Sequence, residues 1–459
     1  MKSRVLLVFP AYDGLLSETP PVGITYIASY VLQKLSSSQV KIIDCSKDGF
    51  SEESWLKELN DFQPDVVGIS VQTLNYPSAR KITRVTRQYD PDILLVMGGV
   101  NATLDPEKCL KHCDIVVRGE GEKSFLEICQ GAKWEDIKGI SFKNEEMIQH
   151  NEPRERIKDL DEIPFRAEHL LDVKGYKFYP SWNLIGSRGC PYACTFCCSP
   201  VVWKRVVNLR SVKNIVDEME YLQAKYDIKH IDICDDMINI SQQRTFDICH
   251  EIIARGLHNK LTFACSMRAN RQLVSLELFQ KLKEANFIKV CLGIESASKK
   301  VCALMKKNLP IADVSRFIRL ARKANIQSVE GYLIVGNWGE TLWDVLKTWR
   351  FVIFNNIEPS FSICTPFPGT EFYRLQKSNG YLTKEPDWTN FNQYTPIART
   401  DKMSRLQILL VYFVSVLLCH TLLLIRTRKL TYGPSGLLKS VFARITTVTR
   451  AIKSLYHAA

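Results

Sequence analysis

Along the first 135 residues, short apolar runs alternate with stretches whose apolar side chains recur every three or four positions. The runs at 5–9, 39–43, 66–70, 93–97 and 115–117 have strand length, while 24–35 and 78–88 carry helical periodicity. Near-continuous apolar strands separated by helices predict a parallel, doubly wound α/β sheet buried on both faces. Residues 136–175 are charged and irregular, and read as a linker that opens with a hairpin pairing 140–142 with 147–149. Alternation resumes with strand-like runs at 182–185, 230–234, 261–265, 289–292, 328–335 and 360–364. Six parallel strands with helices between them predict a partial (β/α)6 barrel of TIM type, whose reactive groups sit at the C-terminal strand ends. The domain boundaries expected are 1–140 for the Rossmann-like domain, 141–175 for the linker, 176–385 for the barrel and 386–459 for a helical tail.

Small and polar residues collect at those strand ends. In the first domain they are Pro20-Pro21-Val22-Gly23, Ser70, Gly98-Gly99 and Gly119-Glu120-Gly121-Glu122. Glycine lets a backbone approach a large cofactor where a Cβ would collide. No G-x-G-x-x-G follows the first strand, which argues against a nicotinamide or flavin. In the second they are Asp235-Asp236, Ser266, Arg268, Gly293-Ile294-Glu295-Ser296, the run from Gly336 to Thr341 with Gly331 before it, and the run from Pro366 to Thr370. Glu295 and Ser296 read equally well as an ordinary helix start.

The strongest chemical signal is Cys190-Pro-Tyr-Ala-Cys194-Thr-Phe196-Cys197, a C-x3-C-x2-C loop after an apolar strand and Gly186-Ser-Arg-Gly189. Thiolates are preferred ligands of iron–sulfur clusters. Three ligands for four irons leave one iron open for chemistry. A structural zinc site wants two ligand pairs, and the other close pair, Cys109 and Cys113, lies in the first domain. A redox pair of Cys194 and Cys197 leaves Cys190 unexplained.

The loop resembles the signature of the radical S-adenosylmethionine (SAM) enzymes. The first domain is similar to the B12-binding domain that precedes many of their barrels. The resemblance covers most of the chain and implies a [4Fe–4S] cluster on Cys190, Cys194 and Cys197, with Cys198 a bystander. It further implies SAM near Phe196, Ser266, Arg268, Glu295, Gly331 and Gly336, with Glu295 on the ribose. Cobalamin is implied at Pro21, Gly23, Ser70, Gly98, Gly99, Gly119, Glu120 and Gly121. Two departures stand out: the D-x-H-x-x-G motif that supplies an axial His is absent, and Trp338 replaces the usual Pro of a G-x-P-G-E-T turn.

The 15 cysteines, several of them single within apolar runs, suit a reduced cytoplasmic protein, and the N-terminus reads as a strand rather than a signal peptide. Net charge is +12, but ten basic residues against Asp401 alone fall between Ala398 and Ala459. A basic tail of this kind gives no nucleic-acid signature. Residues 406–425 carry no charge with His420 neutral, and apolar positions at 438–455 recur at helical spacing among basic ones. Three readings follow: contact with the inner face of a membrane, a helix packed on the barrel, or a span that would defy the positive-inside tendency.

The resemblance implies a radical SAM enzyme, of the B12-dependent methyltransferase kind. An electron from the cluster cleaves SAM, a 5′-deoxyadenosyl radical abstracts hydrogen from an unactivated carbon, and methylcobalamin delivers methyl to a small or lipid-like substrate. A flavodoxin- or ferredoxin-type reductant is the implied partner. The alternatives are a radical rearrangement or cyclisation without methyl transfer and, from another class, an iron–sulfur sensor or binding protein. No general acid or base is singled out.

Overall fold

Strand β1 (Arg4–Phe9) is buried along almost its whole length, and it pairs in parallel with β2 (Gln39–Asp44) on one side and β3 (Val66–Ser70) on the other. β4 (Leu94–Gly98) and β5 (Ile115–Val117) continue the parallel sheet beyond β3. The structure, a computed structural model, describes residues 4–12, 19–144, 147–382 and 388–427. The chain divides into two compact units, Met1–Pro191 with Cys198–Asp235, and Tyr192–Cys197 with Asp236–Ala459.

In the first unit the sheet order is β2-β1-β3-β4-β5-β6-β7. The last two strands, β6 (Ile140–Asn144) and β7 (Met147–His150), run antiparallel and are the hairpin read from sequence. They extend the sheet rather than opening a free linker. The parallel part has the order 2-1-3-4-5, with its topological switch between β1 and β3. Val5, Leu7, Val66, Val96 and Ile115 pack with Ile24, Ala28 and Val31 of helix Val22–Lys34 and with Phe125 and Ile128 of helix Glu122–Gln130. Gly68 allows this closeness, since a Cβ there would meet Leu7 Cδ2 at 2.7 Å and the Phe125 ring at 2.9 Å. Ser51 starts the helix Glu52–Phe62 by accepting from Ser54 N at 3.1 Å, a cap of about 1 kcal/mol.

The segment after the hairpin is anchored by charge. Arg166 is fully buried with its guanidinium 2.9 Å from Glu168, and Arg210 lies 2.5 Å from Glu218. The first unit also holds β8 (Ser181–Leu184), the short antiparallel pair β9 (Ser187–Arg188) and β10 (Asn208–Leu209), helix Val212–Tyr226 and β11 (His230–Ile233), which pairs in parallel with β8.

In the second unit β12 (Thr262–Met267), β13 (Phe287–Glu295), β14 (Ser328–Val335) and β15 (Glu358–Ile363) form parallel neighbours in that order. With β8 and β11 they make six strands running in the alternating β/α pattern read from sequence. Helix Leu276–Glu284, helix Ile311–Lys323 and helix Leu342–Phe354 fall between successive strands. The final described helix, Arg405–Thr427, buries Ile408, Tyr412, Val416 and Cys419 at helical spacing and packs on β15 and helix Leu342–Phe354. Trp349 Nε1 donates to Ser415 Oγ at 2.7 Å across that contact. Among the described residues no helix is long and apolar enough to cross a membrane. The apolar periodicity at 438–455 lies outside the described residues.

Candidate active site

In the second unit the cysteine loop is fastened by its backbone. Thr195 N donates to Met305 O at 3.0 Å, Phe372 N donates to Thr195 O at 2.9 Å, and Cys197 N donates to Cys194 O at 3.2 Å. Cys194 is buried, Cys197 and Phe196 are half-buried, and Cys190, half-buried too, belongs to the first unit. Among the described residues no cysteine is in a disulfide. Among the described residues no group of three or more His, Cys, Asp or Glu stands in metal-binding geometry. The fit to a [4Fe–4S] cluster is one of donor chemistry: three thiols within eight residues, outside any disulfide, with a buried cation near Cys194.

That cation is Lys307, which the sequence reading missed. Its Nζ lies 2.7 Å from Glu295 Oε1, and both side chains are buried. Burial opposes the Lys307 charge, but Glu295, and Cys194 as a thiolate, together hold its pKa above the ordinary lysine value. Gly293 leaves room for the pair, because a Cβ there would sit 2.3 Å from Glu295 Oε1 and 2.6 Å from Lys307 Nζ. Glu295 itself has φ +62°, at a register shift between β13 and β14. A left-handed glutamate at a strand end is a constrained position, and such positions cluster at functional sites.

Arg268, at the end of β12, is also buried. Its guanidinium lies 3.4 Å from the centre of the Tyr192 ring, its Nε donates to Asn270 Oδ1 at 2.6 Å, and its Nη2 donates to Lys307 O. Asn239 accepts from Arg268 N at 2.9 Å and donates to Arg268 O at 2.9 Å, so the backbone there is held from both sides. Ser266 is half-buried, and its carbonyl accepts from Ile238 N at 2.9 Å. Thus Arg268, Lys307, Glu295 and the Tyr192–Cys197 segment converge within one unit.

The turn after β14 is locked in a different way from a proline turn. Glu340 accepts from Gly336 N at 2.7 Å and Asn337 N at 3.1 Å, while Gly339 N donates to Asp401 Oδ1 at 2.7 Å. Trp338 stacks on Tyr381 with ring centres 5.7 Å apart. Burial raises the Glu340 carboxyl to about 7, against the two backbone donors that favour its charge. Gly331 and Gly336 serve packing: a Cβ at Gly331 would meet Ile294 and Ile357, and one at Gly336 would meet Ile408 Cγ2 at 2.9 Å.

In the first unit Ser70, Gly98, Gly99 and Gly119 stand at the C-terminal ends of β3, β4 and β5. A Cβ added at Gly23 or Gly119 would meet nothing within 4 Å, and at Gly98 nothing nearer than 3.8 Å, so the backbone is open to a ligand there, whereas at Gly99, with φ +96°, a Cβ would meet Val71 O at 2.8 Å. Pro21 is buried and precedes helix Val22–Lys34. Gly121 is closed against Ile27 Cδ1 at 2.8 Å, and Glu120 is engaged by Arg188 Nη1 at 2.9 Å and Ile157 N at 2.8 Å. Arg188 also donates to Glu122 at 2.6 Å. The glutamates of this turn therefore hold the residue two positions before Cys190.

Family models match both halves: the B12 binding domain over residues 14–129 and the radical SAM superfamily over 184–352. An uncharacterized methyltransferase of Pyrococcus horikoshii is 29% identical over 420 residues, covering 88% of this chain and 90% of its own. The anaerobic magnesium-protoporphyrin IX monomethyl ester cyclase of Cereibacter sphaeroides is 26% identical over 427 residues, covering 88% of this chain and 68% of its own. The hopanoid C-3 methylase of Methylococcus capsulatus is 23% identical, covering 81% and 72% respectively. In fold, the cobalamin-dependent radical enzyme OxsB superposes with a TM-score of 0.75 at 17% identity, over 91% of this chain and 66% of that one. The methyltransferase TsrM from Kitasatospora setae gives 0.69 at 17% identity, over 84% and 78%. With a B12-binding domain, a radical SAM domain and a C-x3-C-x2-C loop at the start of the latter, this chain is a cobalamin-binding radical SAM enzyme whose cofactors are cobalamin, SAM and a [4Fe–4S] cluster.

Proposed function

We propose that this enzyme transfers a methyl group to an unactivated carbon of an apolar, lipid-like substrate. The observation that carries the reading is the union of a B12-binding and a radical SAM domain in one chain, shared over 88% of its length with a methyltransferase. When bound, the cluster supplies one electron to SAM and cobalamin supplies a transferable methyl group. Cys190, Cys194 and Cys197 would hold the cluster, and Glu295, Arg268, Ser266 and Phe196 would bind SAM's polar groups and adenine. Lys307 would keep the Glu295 carboxylate aimed while the site is empty of SAM. Ser70, Gly98, Gly99 and Gly119 would cradle cobalamin, with Pro21 and Gly23 bordering it. The protein's own work is orientation and exclusion of water.

An apolar substrate is supported by the uncharged stretch 406–425 within helix Arg405–Thr427 and by the name of one relative, the hopanoid C-3 methylase. The basic tail would bring the enzyme to the inner face of the membrane, where such a substrate resides. The test is a comparison of lipid and metabolite extracts from cells with and without the gene, fed methionine labelled in its methyl group. The expected product is apolar and heavier than its precursor by one labelled methyl. A product without the label would favour the ring-closing chemistry that the cyclase relative is named for, and a polar product would remove the lipid-like substrate.

A further inference from the structure

Helix Leu342–Phe354 and helix Arg405–Thr427 pack on each other, and among the described residues each keeps large apolar side chains exposed on its outer side. On the first, Trp343 is 68% and Phe354 64% exposed, with Leu346 between them. On the second, Leu406 is 57% and Leu410 54% exposed, and Leu417 extends the same stripe. Soluble chains seldom leave this many large side chains uncovered side by side, and such patches mark interaction surfaces. The inner stripes of both helices are fully used in packing, so the outer ones are not a misplaced core.

We propose that this two-helix face docks the enzyme on an anionic lipid surface, an inference that rests on the lipid-like substrate reading above. Charge selects the occupant. Among the outer side chains of helix Leu342–Phe354 stand Lys347 and Arg350, while its one acid, Asp344, is buried, bonded to Ser298 and Thr341 and shared between Lys300 at 3.0 Å and Lys347 at 3.5 Å, so that cations outnumber acids there. Helix Arg405–Thr427 contains no acidic residue. The chain then continues for 32 residues, 428–459, with six lysines and arginines and no aspartate or glutamate. Apolar side chains flanked by cations and free of acids suit the interface of an anionic bilayer. A second copy of this chain would instead bring like charge against like.

The experiment is flotation of the full chain with phosphatidylglycerol vesicles and, separately, phosphatidylcholine vesicles. Trp343→Ser/Leu410→Ser is the face variant and Lys347→Gln/Arg350→Gln the charge variant. The expected result is recovery with the anionic vesicles, at least fivefold lower for the face variant and reduced for the charge variant. Melting temperature and 5′-deoxyadenosine formation are followed in parallel, so a misfolded variant is recognised and replaced by Leu406→Gln/Leu417→Gln. If the native chain ignores both vesicle types, or the face variants float as well as the native chain, the proposal is overturned. Conversion of a native dimer to a monomer by the face variant would assign the surface to a second copy and overturn it too. SAM cleavage that persists while flotation fails would discard the docking face and leave the enzymatic reading standing.

Discussion

At Glu295 the backbone takes φ +62°, a conformation that costs a non-glycine residue on the order of 1–3 kcal/mol unless its surroundings enforce it. What enforces it is the buried ion pair with Lys307, in the space that Gly293 leaves open. Removing one partner of such a pair strands a charge, which typically costs about 3–5 kcal/mol, whereas removing both is far milder. Lys307→Met should therefore lower the unfolding free energy by about that amount, and Lys307→Met/Glu295→Leu should recover most of it. Urea denaturation of the three proteins checks this; additive losses in the double variant would show that the two side chains are not coupled. The cysteines were legible because their spacing alone is chemical. Glu295 was legible only through the family resemblance, and Lys307 not at all: it is one of a pair of adjacent lysines, twelve residues after its partner, and only the fold of 302–308 brings it inside.

The turn from Gly336 to Thr341 and the helix it starts carry two buried acids at their junction, Glu340 and Asp344. Asp344 closes a capping box with Thr341, and hydrogen bonds from Thr341 and Ser298, with Lys300, outweigh its burial and hold it well below the usual carboxylate range. Glu340 goes the other way, its folded pKa raised by burial from 4.5 to about 7. A carboxyl raised in the folded state binds its proton there before it does when unfolded. Its contribution is greatest below 4.5 and is lost as pH rises toward 7, by about 3 kcal/mol in full. Relative to the native chain, Glu340→Gln should thus gain stability at pH 8 compared with pH 5. Thermal melts at the two pH values test it, and an equal difference at both would contradict a titrating Glu340. Hydropathy read residues 406–425 as uncharged but could not say what covers them. Its buried stripe answers that on one side, through Ile408 against Gly336 and Ser415 against Trp349.

On the scale of the whole molecule, the order of sheet, hairpin and second α/β set was legible from periodicity, because buried parallel strands leave an apolar signature that linkers lack. The division into compact units was not: it passes through the cysteine loop, with Cys190 in one unit and Cys194 and Cys197 in the other. Nor could spacing reveal that Glu120 and Glu122 grip Arg188, since that pairing joins residues more than sixty apart. The central claim is that three thiols of one loop and a SAM site run radical chemistry. It is tested most directly by mass-spectrometric detection of 5′-deoxyadenosine after anaerobic cluster reconstitution and reduction of the full chain with SAM. The expected result is its steady formation by the native chain and by Cys198→Ala, and none from Cys190→Ala, Cys194→Ala or Cys197→Ala. A native chain that holds its cluster yet yields no 5′-deoxyadenosine, or a Cys194→Ala chain that still yields it, would contradict that claim.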